Sequence, residues 1–341
     1  MRVLDRAAIG GGSWPIWHDL GLALAADGRP HDAVEAYERA MALGGDGLAA
    51  VWVNLGNALR SCARRQEAVD AYRGGLERDP LMAPAYYNLH AALYDDEAPE
   101  GAHAALTAAH ALRPAHRDTC FFLGALRALH EMDGANDVLG GLDEACHFLR
   151  ASLSLVLDHR RAKTRLFADT FETLRFAMSV APPDGVVVEL GVRRGTSLRF
   201  LATLAAEVHG FDSFEGLPSS WGEQAAGLYT ADGALPSVPD NAKLHAGLFA
   251  DTLPAFAAGQ AAPLRLVNVD CDLYSSAREG LEALAPLVVE GTVLVFDEYL
   301  CNPGWEAEEH RALVEVAARY GWRYDYLAFS LFTKQAVVTI G

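Results

Sequence analysis

Residues 186–196 carry the clearest chemical signal in this chain, in an order that can bind a nucleotide-like ligand. The apolar run 186–190 contains Glu189 and leads into Gly191 and Gly195. Because glycine has no Cβ, the backbone at these two positions can approach a ligand closely. A buried strand that turns through glycines into a helix is typical of ligand-binding edges in open α/β sheets.

The acid in this motif indicates the charge of the ligand. A dinucleotide-binding turn reads Gly-x-Gly-x-x-Gly and places a pyrophosphate on a helix N-terminus. Here Glu189 stands two residues before Gly191, where a carboxylate would repel a pyrophosphate. This disfavours an NAD-dependent dehydrogenase and favours a cationic ligand without phosphate. S-adenosylmethionine, which has an amino group and a sulfonium, fits that description.

Acids also follow the later apolar runs. Asp212 comes 23 residues after Glu189, where it can accept hydrogen bonds from ribose hydroxyls. Four further acids follow two other predicted strands: Asp270, Asp272, Asp297 and Glu298. Carboxylates at such short distances repel one another and raise one another's pKa, so the cluster favours a cation among them. The alternative is a set of strand-end acids that cap turns and helix N-termini.

The elements that position these acids follow an alternating strand and helix pattern. Strands are predicted at 186–190, 207–211, 243–246, 264–269, 292–297, 322–328 and 335–340. Near-continuous apolar runs in four of the first five favour a parallel sheet covered on both faces. The second half of the chain is therefore predicted to be a Rossmann-like, seven-stranded α/β sheet. Its ligand would lie beyond the carboxyl ends of the strands.

The first half repeats with a period near 34 residues. Trp17 and Trp52 are 35 residues apart, and Tyr86 follows 34 residues later. Three copies in register resemble the tetratricopeptide repeat, and a fourth copy begins at Leu123 and decays. Each unit would be two helices, with small residues letting the helices approach and large ones filling gaps between units. These residues are Gly21, Ala33, Gly56 and Ala68, and Trp17, Tyr37, Trp52 and Tyr72.

A two-domain organisation follows, of class α + α/β. Residues 1–150 are predicted to form a helical solenoid, and residues 151–341 the sheet domain. A helix is expected around 164–180, ending before the turn at 182–185. The repeats can hold a protein partner, mediate self-association or cover the neighbouring domain.

The bulk composition excludes several classes of function. A formal charge of −17 argues against a nucleic-acid binder and against docking on anionic lipid. No apolar run is long enough for a signal peptide or a membrane span. The five scattered cysteines indicate neither a zinc site nor a disulfide framework. A cytoplasmic protein is expected.

Residues from about 164 to 340 resemble a class I S-adenosylmethionine-dependent methyltransferase. They are most similar to the macrocin O-methyltransferase group, whose members act on sugars and natural products. The motifs that carry the resemblance are VVELGVRRGTSL (187–198), GFDSFEGLP (210–218), GLFADTLP (247–254), VDCDLYSS (269–276) and FDEY (296–299). Methyltransferases with such N-terminal repeats occur among bacterial proteins.

The resemblance implies a set of cofactor-binding residues. The methionine part of S-adenosylmethionine would be bound by Glu189, Gly191, Gly195, Thr196 and Ser197. The ribose would be bound by Asp212, and the adenine would be flanked by Phe214, Gly247 and Phe249. Core packing is the alternative role of both phenylalanines.

The resemblance also implies a metal and a base. Relatives bind Mg²⁺ through the positions that match Asp270, Asp297 and Glu298, and oxygen ligands of this kind suit that ion. Asp272 matches the position of the general base, and His245 is an alternative base. Four loop aromatics could stack on an acceptor or merely close the loops: Trp221, Tyr229, Tyr299 and Trp305.

The leading hypothesis is therefore an O-methyltransferase, assisted by metal, that acts on a sugar or natural-product-like hydroxyl. One alternative is a repeat adaptor whose second domain binds the cofactor without catalysis. Another is a methyltransferase for a protein held by the repeats.

Overall fold

The computed structural model describes residues 13–220, 227–228, 230 and 233–341. The chain divides into two compact units, and the division falls between Leu142 and Asp143.

The first unit is built from α-helices that pack in consecutive pairs. Its helices are α1 (Trp14–Ala26), α2 (Pro30–Ala42), α3 (Ala49–Arg60), α4 (Arg65–Arg78), α5 (Ala83–Leu93), α6 (Glu100–Leu112), α7 (Arg117–Leu129) and α8 (Ala135–Gly140). The pairs are α1 with α2, α3 with α4, α5 with α6, and α7 with α8, and each pair also packs on the next. The predicted repeat architecture is confirmed, and the decaying fourth copy is also a helix pair.

Small residues set the distance between paired helices. A Cβ placed on Gly21 would lie 2.5 Å from Cε1 of Tyr37, and one on Gly56 would lie 2.6 Å from Cε1 of Tyr72. Both tyrosines are fully buried in the core of this unit. The Tyr72 hydroxyl donates to Asn57 Oδ1 at 2.8 Å, so its polar end is satisfied inside the repeat.

The second unit is a sheet with helices. Its helices are α9 (His147–His159), α10 (Thr170–Val180), α11 (Thr196–Ala202), α12 (Phe249–Gly259), α13 (Tyr274–Leu284) and α14 (Glu309–Tyr320). Its strands are β1 (Arg165–Leu166), β2 (Val186–Leu190), β3 (Val208–Asp212), β4 (Ala242–Ala246), β5 (Leu264–Val269), β6 (Val293–Phe296), β7 (Tyr324–Ser330) and β8 (Gln335–Ile340).

The sheet is mixed. Its strand order is β1-β7-β8-β6-β5-β2-β3-β4. The five neighbouring strands β6, β5, β2, β3 and β4 run parallel, while β8 is antiparallel to both β6 and β7. The predicted sheet is confirmed in its seven main strands, but the expected count of seven is wrong by one. The additional strand β1 is two residues long and pairs with β7.

The segment that forms β1 was expected to be the start of a helix. The helix α10 begins only at Thr170, because Asp169 caps it by accepting hydrogen bonds from the N–H groups of Phe171 and Glu172. The residues before this cap are free to pair with the sheet edge, so the apolar pattern at 166–167 belongs to extended chain.

The strand order changes direction between β2 and β5. The chain runs outward from β2 through β3 to β4, and then returns to β5 on the other side of β2. Glu189 lies beside Asn268 of β5 in the register. The carboxyl ends of β2, β3, β5 and β6 therefore meet around the point where open α/β sheets bind ligands.

Every helix within the part of the chain that the structure describes is too short or too polar to span a lipid bilayer.

The close approach of glycine and tyrosine gives a stability prediction. Gly56→Val should lower the free energy of unfolding by about 1–3 kcal/mol, because the new side chain would overlap the Tyr72 ring. Urea unfolding followed by circular dichroism measures this. The matched control is Gly47→Val, where no atom lies within 4 Å of the new Cβ. Equal effects of the two variants would contradict the packing role of Gly56.

Candidate active site

A cavity of about 600 Å³ lies at the carboxyl ends of the parallel strands. It is bounded by the segments that follow β2, β3, β4, β5 and β6. Its lining residues are Gly191, Val192, Arg193, Asp212, Ser213, Gly216, Leu217, Pro218, Gly247, Leu248, Phe249, Ala250, Asp270, Cys271, Asp272, Ser275, Ser276, Glu279, Asp297 and Glu298. The acids predicted at the strand ends thus share one cavity, apart from Glu189.

Gly191 is required by the packing of two strand ends. Its φ is +91°, and a Cβ there would lie 1.7 Å from the carbonyl oxygen of Asp270. The Asp270 N–H donates to the Leu190 carbonyl at 2.8 Å, which holds the two strand ends together. No other residue fits this position, because a side chain would separate β2 from β5 and widen the floor of the cavity.

Asp212 organises the loop that follows β2. Its Oδ2 accepts hydrogen bonds from the N–H groups of Val192 at 2.8 Å and Arg193 at 2.7 Å. Its Oδ1 accepts one from the Phe214 N–H at 2.7 Å. A carboxylate has about four acceptor positions, so these contacts leave one on Oδ1 for a ligand.

Glu189 lies in the interior beside this loop. It is fully buried and does not line the cavity. Its Oε1 accepts a hydrogen bond from Asn268 Nδ2 at 2.9 Å. Its Oε2 is buried with no partner at hydrogen-bonding distance, although Ser197 is close enough to lower the pKa. Burial outweighs both polar neighbours and raises the pKa of Glu189 to about 8.

Asp272, the predicted base, lines the cavity with an unusual backbone. Its φ is +62°, in the left-handed region that side chains other than Asn and Asp seldom adopt. Burial, followed by the charge of Glu298, raises the pKa of Asp272 to about 6. A carboxylate with such a pKa is ionised at neutral pH and still accepts a proton readily.

The three predicted magnesium ligands line the cavity but do not form a metal-binding group. Asp297 Oδ1 accepts a hydrogen bond from Gln335 Nε2 at 2.6 Å, and Glu298 Oε2 accepts one from Lys334 Nζ at 3.1 Å. Across the described ranges, no three His, Cys, Asp or Glu side chains are arranged to hold an ion. This donor set, already bonded to an amide and an ammonium, does not fit Mg²⁺ as it stands.

Burial raises the pKa of two of these acids. The pKa of Asp297 rises to about 7, with Glu298 as the next cause. The pKa of Asp270 rises well above its usual range, with Asp297 as the next cause. Both effects come from negative charge held in a poorly solvated place, and a bound cation would reverse them.

The remaining cofactor residues divide into two groups. Gly247 and Phe249 line the cavity, and their place beside an adenine stays a prediction. Gly195, Thr196 and Ser197 do not line it and instead begin α11. Phe214 is 2% exposed and packs in the hydrophobic core of this unit, which agrees with its alternative role.

Three further residues that the sequence suggested for the site pack against other side chains instead of lining the cavity. The His245 ring stacks on Phe211 at 4.3 Å and its Nε2 contacts His209 Nδ1, so it is part of a packed cluster outside the cavity. Tyr299 and Trp305 are buried, 0% and 3% exposed, and do not present rings to an acceptor. The other two loop aromatics, Trp221 and Tyr229, lie outside the described residues.

Sequence reasoning missed several residues that support the site. The Glu309 Oε2 accepts a hydrogen bond from the Glu298 N–H at 3.2 Å, and the Glu308 Oε2 accepts one from the Tyr274 N–H at 2.8 Å. Both glutamates lie at the start of α14, where an acid pair is visible in the sequence but reads as an ordinary helix start. Lys334 had no signal, because only the fold brings it to Glu298.

Two family models match the chain. A model described as "Methyltransferase domain" matches residues 188–299, and one described as "Tetratricopeptide repeat" matches residues 51–81. The first range runs from inside β2 to just beyond β6 and contains every acid of the cavity. The second range contains most of α3 and all of α4.

A curated relative is the 8-demethyl-8-(2,3-dimethoxy-alpha-L-rhamnosyl)-tetracenomycin-C 4'-O-methyltransferase of Streptomyces olivaceus. It is 30% identical over 168 residues, which is 40% of this chain and 63% of the relative. The chain thus spans less than two thirds of the length of this relative.

Several solved structures are also similar. The calicheamicin methyltransferase CalS11 is 19% identical, with 65% of this chain and 91% of that chain covered and a TM-score of 0.39. The O-methyltransferase NovP is 22% identical, with 50% and 78% covered and a TM-score of 0.38. MamA is 19% identical, with 41% and 92% covered and a TM-score of 0.36.

The two family models confirm the predicted resemblance in both halves of the chain. Residues 188–299 are similar to a methyltransferase domain, and residues 51–81 are similar to a tetratricopeptide repeat.

Proposed function

We propose that this protein is an S-adenosylmethionine-dependent O-methyltransferase that acts on a hydroxyl of a sugar or natural-product-like acceptor. One observation carries the proposal. A single cavity at the carboxyl edge of the sheet has Gly191 and Asp212 on its β2–β3 side and Asp272 on its β5 side. The cavity thus joins residues suited to a nucleoside with a residue suited to accepting a proton.

The first side suits the cofactor. Asp212 has one acceptor position left for a ribose hydroxyl. Glu189 lies behind the cavity lining, and its buried Oε2, which has no hydrogen-bond partner, would attract a cationic amino group on this side; the positive charge would keep that carboxyl ionised. Phe249 offers a half-buried aromatic ring beside Gly247, where an adenine can stack.

The second side suits proton transfer. When bound, S-adenosylmethionine supplies a methyl group on a positively charged sulfur. Asp272 takes the proton of the acceptor hydroxyl while the oxygen forms its bond to the methyl carbon. The bound cofactor would release this methyl group from its sulfur, and the electron pair of that bond would stay on a neutral thioether. The protein contributes the alignment of the two reactants and one proton acceptor.

The acceptor class rests on two kinds of support. The curated relative and CalS11 carry names that describe an O-methyltransferase for a rhamnosyl natural product and a calicheamicin methyltransferase. In this chain, the second side of the cavity presents acids together with the hydroxyls of Ser275 and Ser276. Such a surface can hydrogen-bond the several hydroxyls of a sugar.

The alternatives make different predictions. A protein acceptor held by the repeats would require both units for turnover, whereas a sugar acceptor would be methylated in a small-molecule screen with labelled methyl donor. An adaptor without catalysis would bind the cofactor and methylate nothing in either assay. The proton acceptor Asp272 in the cavity favours an enzyme.

Asp212 gives a prediction on cofactor affinity. Asp212→Asn should weaken S-adenosylhomocysteine binding by about tenfold or more. The N–H₂ group of the new amide would point at an N–H or O–H group that donates a hydrogen bond to the carboxylate in the wild type. Titration calorimetry on the full chain measures the affinity, and circular dichroism checks the fold. Asp251→Asn is the matched control, since Asp251 is exposed and outside the cavity lining. Unchanged affinity in Asp212→Asn would contradict the assignment.

Asp272 gives a prediction on turnover. Asp272→Asn should keep cofactor affinity and lower kcat by about 10²–10⁴-fold on any acceptor found, because the amide cannot accept the proton. The wild-type kcat should also fall on the acid side of a pH near 6, where Asp272 becomes protonated. Asp251→Asn, which neutralises an exposed acid outside the cavity lining, is the control. Loss of cofactor affinity together with kcat would assign Asp272 to binding.

Glu189 gives a prediction on the pH dependence of binding. Its pKa of about 8 means that the free protein holds a proton there at pH 7, and a cationic amino group must displace it. The affinity for S-adenosylhomocysteine should therefore rise from pH 6 to pH 8, by up to about tenfold per unit. Glu189→Gln should flatten this slope, whereas the exposed Glu290→Gln should not. Parallel slopes in wild type and Glu189→Gln would rule out this electrostatic interaction.

A further inference from the structure

The Glu298 carboxylate forms an ion pair with the Lys334 side chain. Lys334 Nζ donates to Glu298 Oε2 at 3.1 Å and to Asn302 Oδ1 at 2.7 Å. Asn302 Nδ2 donates to the same Glu298 oxygen, which closes a triangle of three side chains. The ammonium is therefore held by two acceptors that also hold each other, unlike a single exposed ion pair.

The backbone of Lys334 is committed to the same place. Its φ is +63°, in the left-handed region that lysine rarely adopts. Its carbonyl oxygen accepts hydrogen bonds from the N–H groups of Tyr299 at 3.0 Å and Leu300 at 3.3 Å, which directly follow Glu298. One residue of the β7–β8 turn thus fixes both the loop after β6 and the charge beside its acid.

The neighbouring acid is held by the next residue along the chain, which begins β8. Gln335 Nε2 donates to Asp297 Oδ1 at 2.6 Å. Both acids after β6 are therefore engaged by consecutive residues of one hairpin. Mg²⁺ requires near-octahedral oxygen ligands at short distances, and an ammonium on Glu298 Oε2 opposes a divalent ion at that oxygen.

We infer that Lys334 is the resident cation of this cavity edge, in the place where a divalent metal would bind, and that Glu298 binds no metal while Lys334 is present. The ion pair and hydrogen bonds of Lys334 exclude the metal from Glu298, and the consequence for catalysis rests on the proposed function. Lys334 is then a positioning residue that acts through Glu298, and methyl transfer proceeds without a divalent ion.

The test uses Mn²⁺ as the probe, with the full chain and with neither cofactor nor acceptor present. Electron paramagnetic resonance measures free Mn²⁺ during titration of each protein. The main variant is Lys334→Gly, because glycine adopts the left-handed backbone without strain while the ammonium is removed. Lys334→Arg keeps the charge, and Lys243→Ala removes a lysine elsewhere in this unit.

The expected result is weak Mn²⁺ binding by the wild type, Lys334→Arg and Lys243→Ala. Lys334→Gly should bind at least about tenfold more tightly, since removal of a unit charge in contact with the ligand oxygen relieves its repulsion. The double variant Lys334→Gly with Glu298→Gln should lose that gain. Lys334→Met provides the same comparison if the glycine variant does not fold.

Two results would overturn the inference. One is tight Mn²⁺ binding by the wild type that Glu298→Gln removes, and the other is a Lys334→Gly variant that folds and binds no more tightly than the wild type. Because the titration contains no methyl donor, it remains informative if the proposed reaction is wrong. Once an acceptor is found, wild-type turnover should be unchanged by EDTA, and Lys334→Gly should regain kcat with added Mg²⁺.

Discussion

The carboxyl edge of the sheet must hold several carboxyl groups in one poorly solvated place. Asp212, Asp270, Asp272, Asp297 and Glu298 line a common cavity, and Glu189 is buried next to it. Their mutual repulsion grows as water is removed, so each needs hydrogen-bond donors, a proton or a cation. Much of the local structure provides these acids with hydrogen-bond donors, protons or a cation.

Each acid is balanced differently. Backbone N–H groups balance Asp212, which therefore acts as part of the loop structure in addition to the ligand-binding role that we propose. Glu189, with a pKa of about 8, keeps a proton at neutral pH, so the full set of negative charges does not exist at once. Burial and the neighbouring Asp297 also raise the pKa of Asp270. Lys334 balances Glu298. Among Glu189, Asp272 and Asp297, the pKa of Asp272 rises least, which suits the proton acceptor that we propose it to be.

The sequence predicted the framework well, because periodic patterns report it directly. Strands β2, β5 and β8 begin and end where the apolar runs do, and the glycines at 21 and 56 lie against the predicted tyrosines. The strand-end acids were predicted to meet, and they line one cavity because parallel strands place their carboxyl ends together. The extra strand β1 was missed, because a strand of two residues is too short to show an alternating apolar pattern.

The contacts that tune the site could not be predicted in this way. Lys334 reaches Glu298 across 36 residues through an antiparallel hairpin, and nothing local in the sequence indicates that pairing. The resemblance to methyltransferases predicted the oxygen ligands of a metal. It did not predict that a lysine donates a hydrogen bond to one of those oxygens. Tyr299 and Trp305 looked like surface aromatics because they follow a strand end. They are buried by partners distant in the chain, Tyr326 and Phe148.

The three amide contacts of Asp212 also have a thermodynamic consequence. A loop that is already fixed by its own acid has little conformational freedom left to lose when a nucleoside arrives. Association then costs less entropy, and more of the contact energy appears as affinity. In the proposed function, the same three bonds would restrict the position of a ribose, because only one lone pair of the carboxylate remains to receive it. Rigidity of the loop would then set both the affinity and the pose of the proposed ligand.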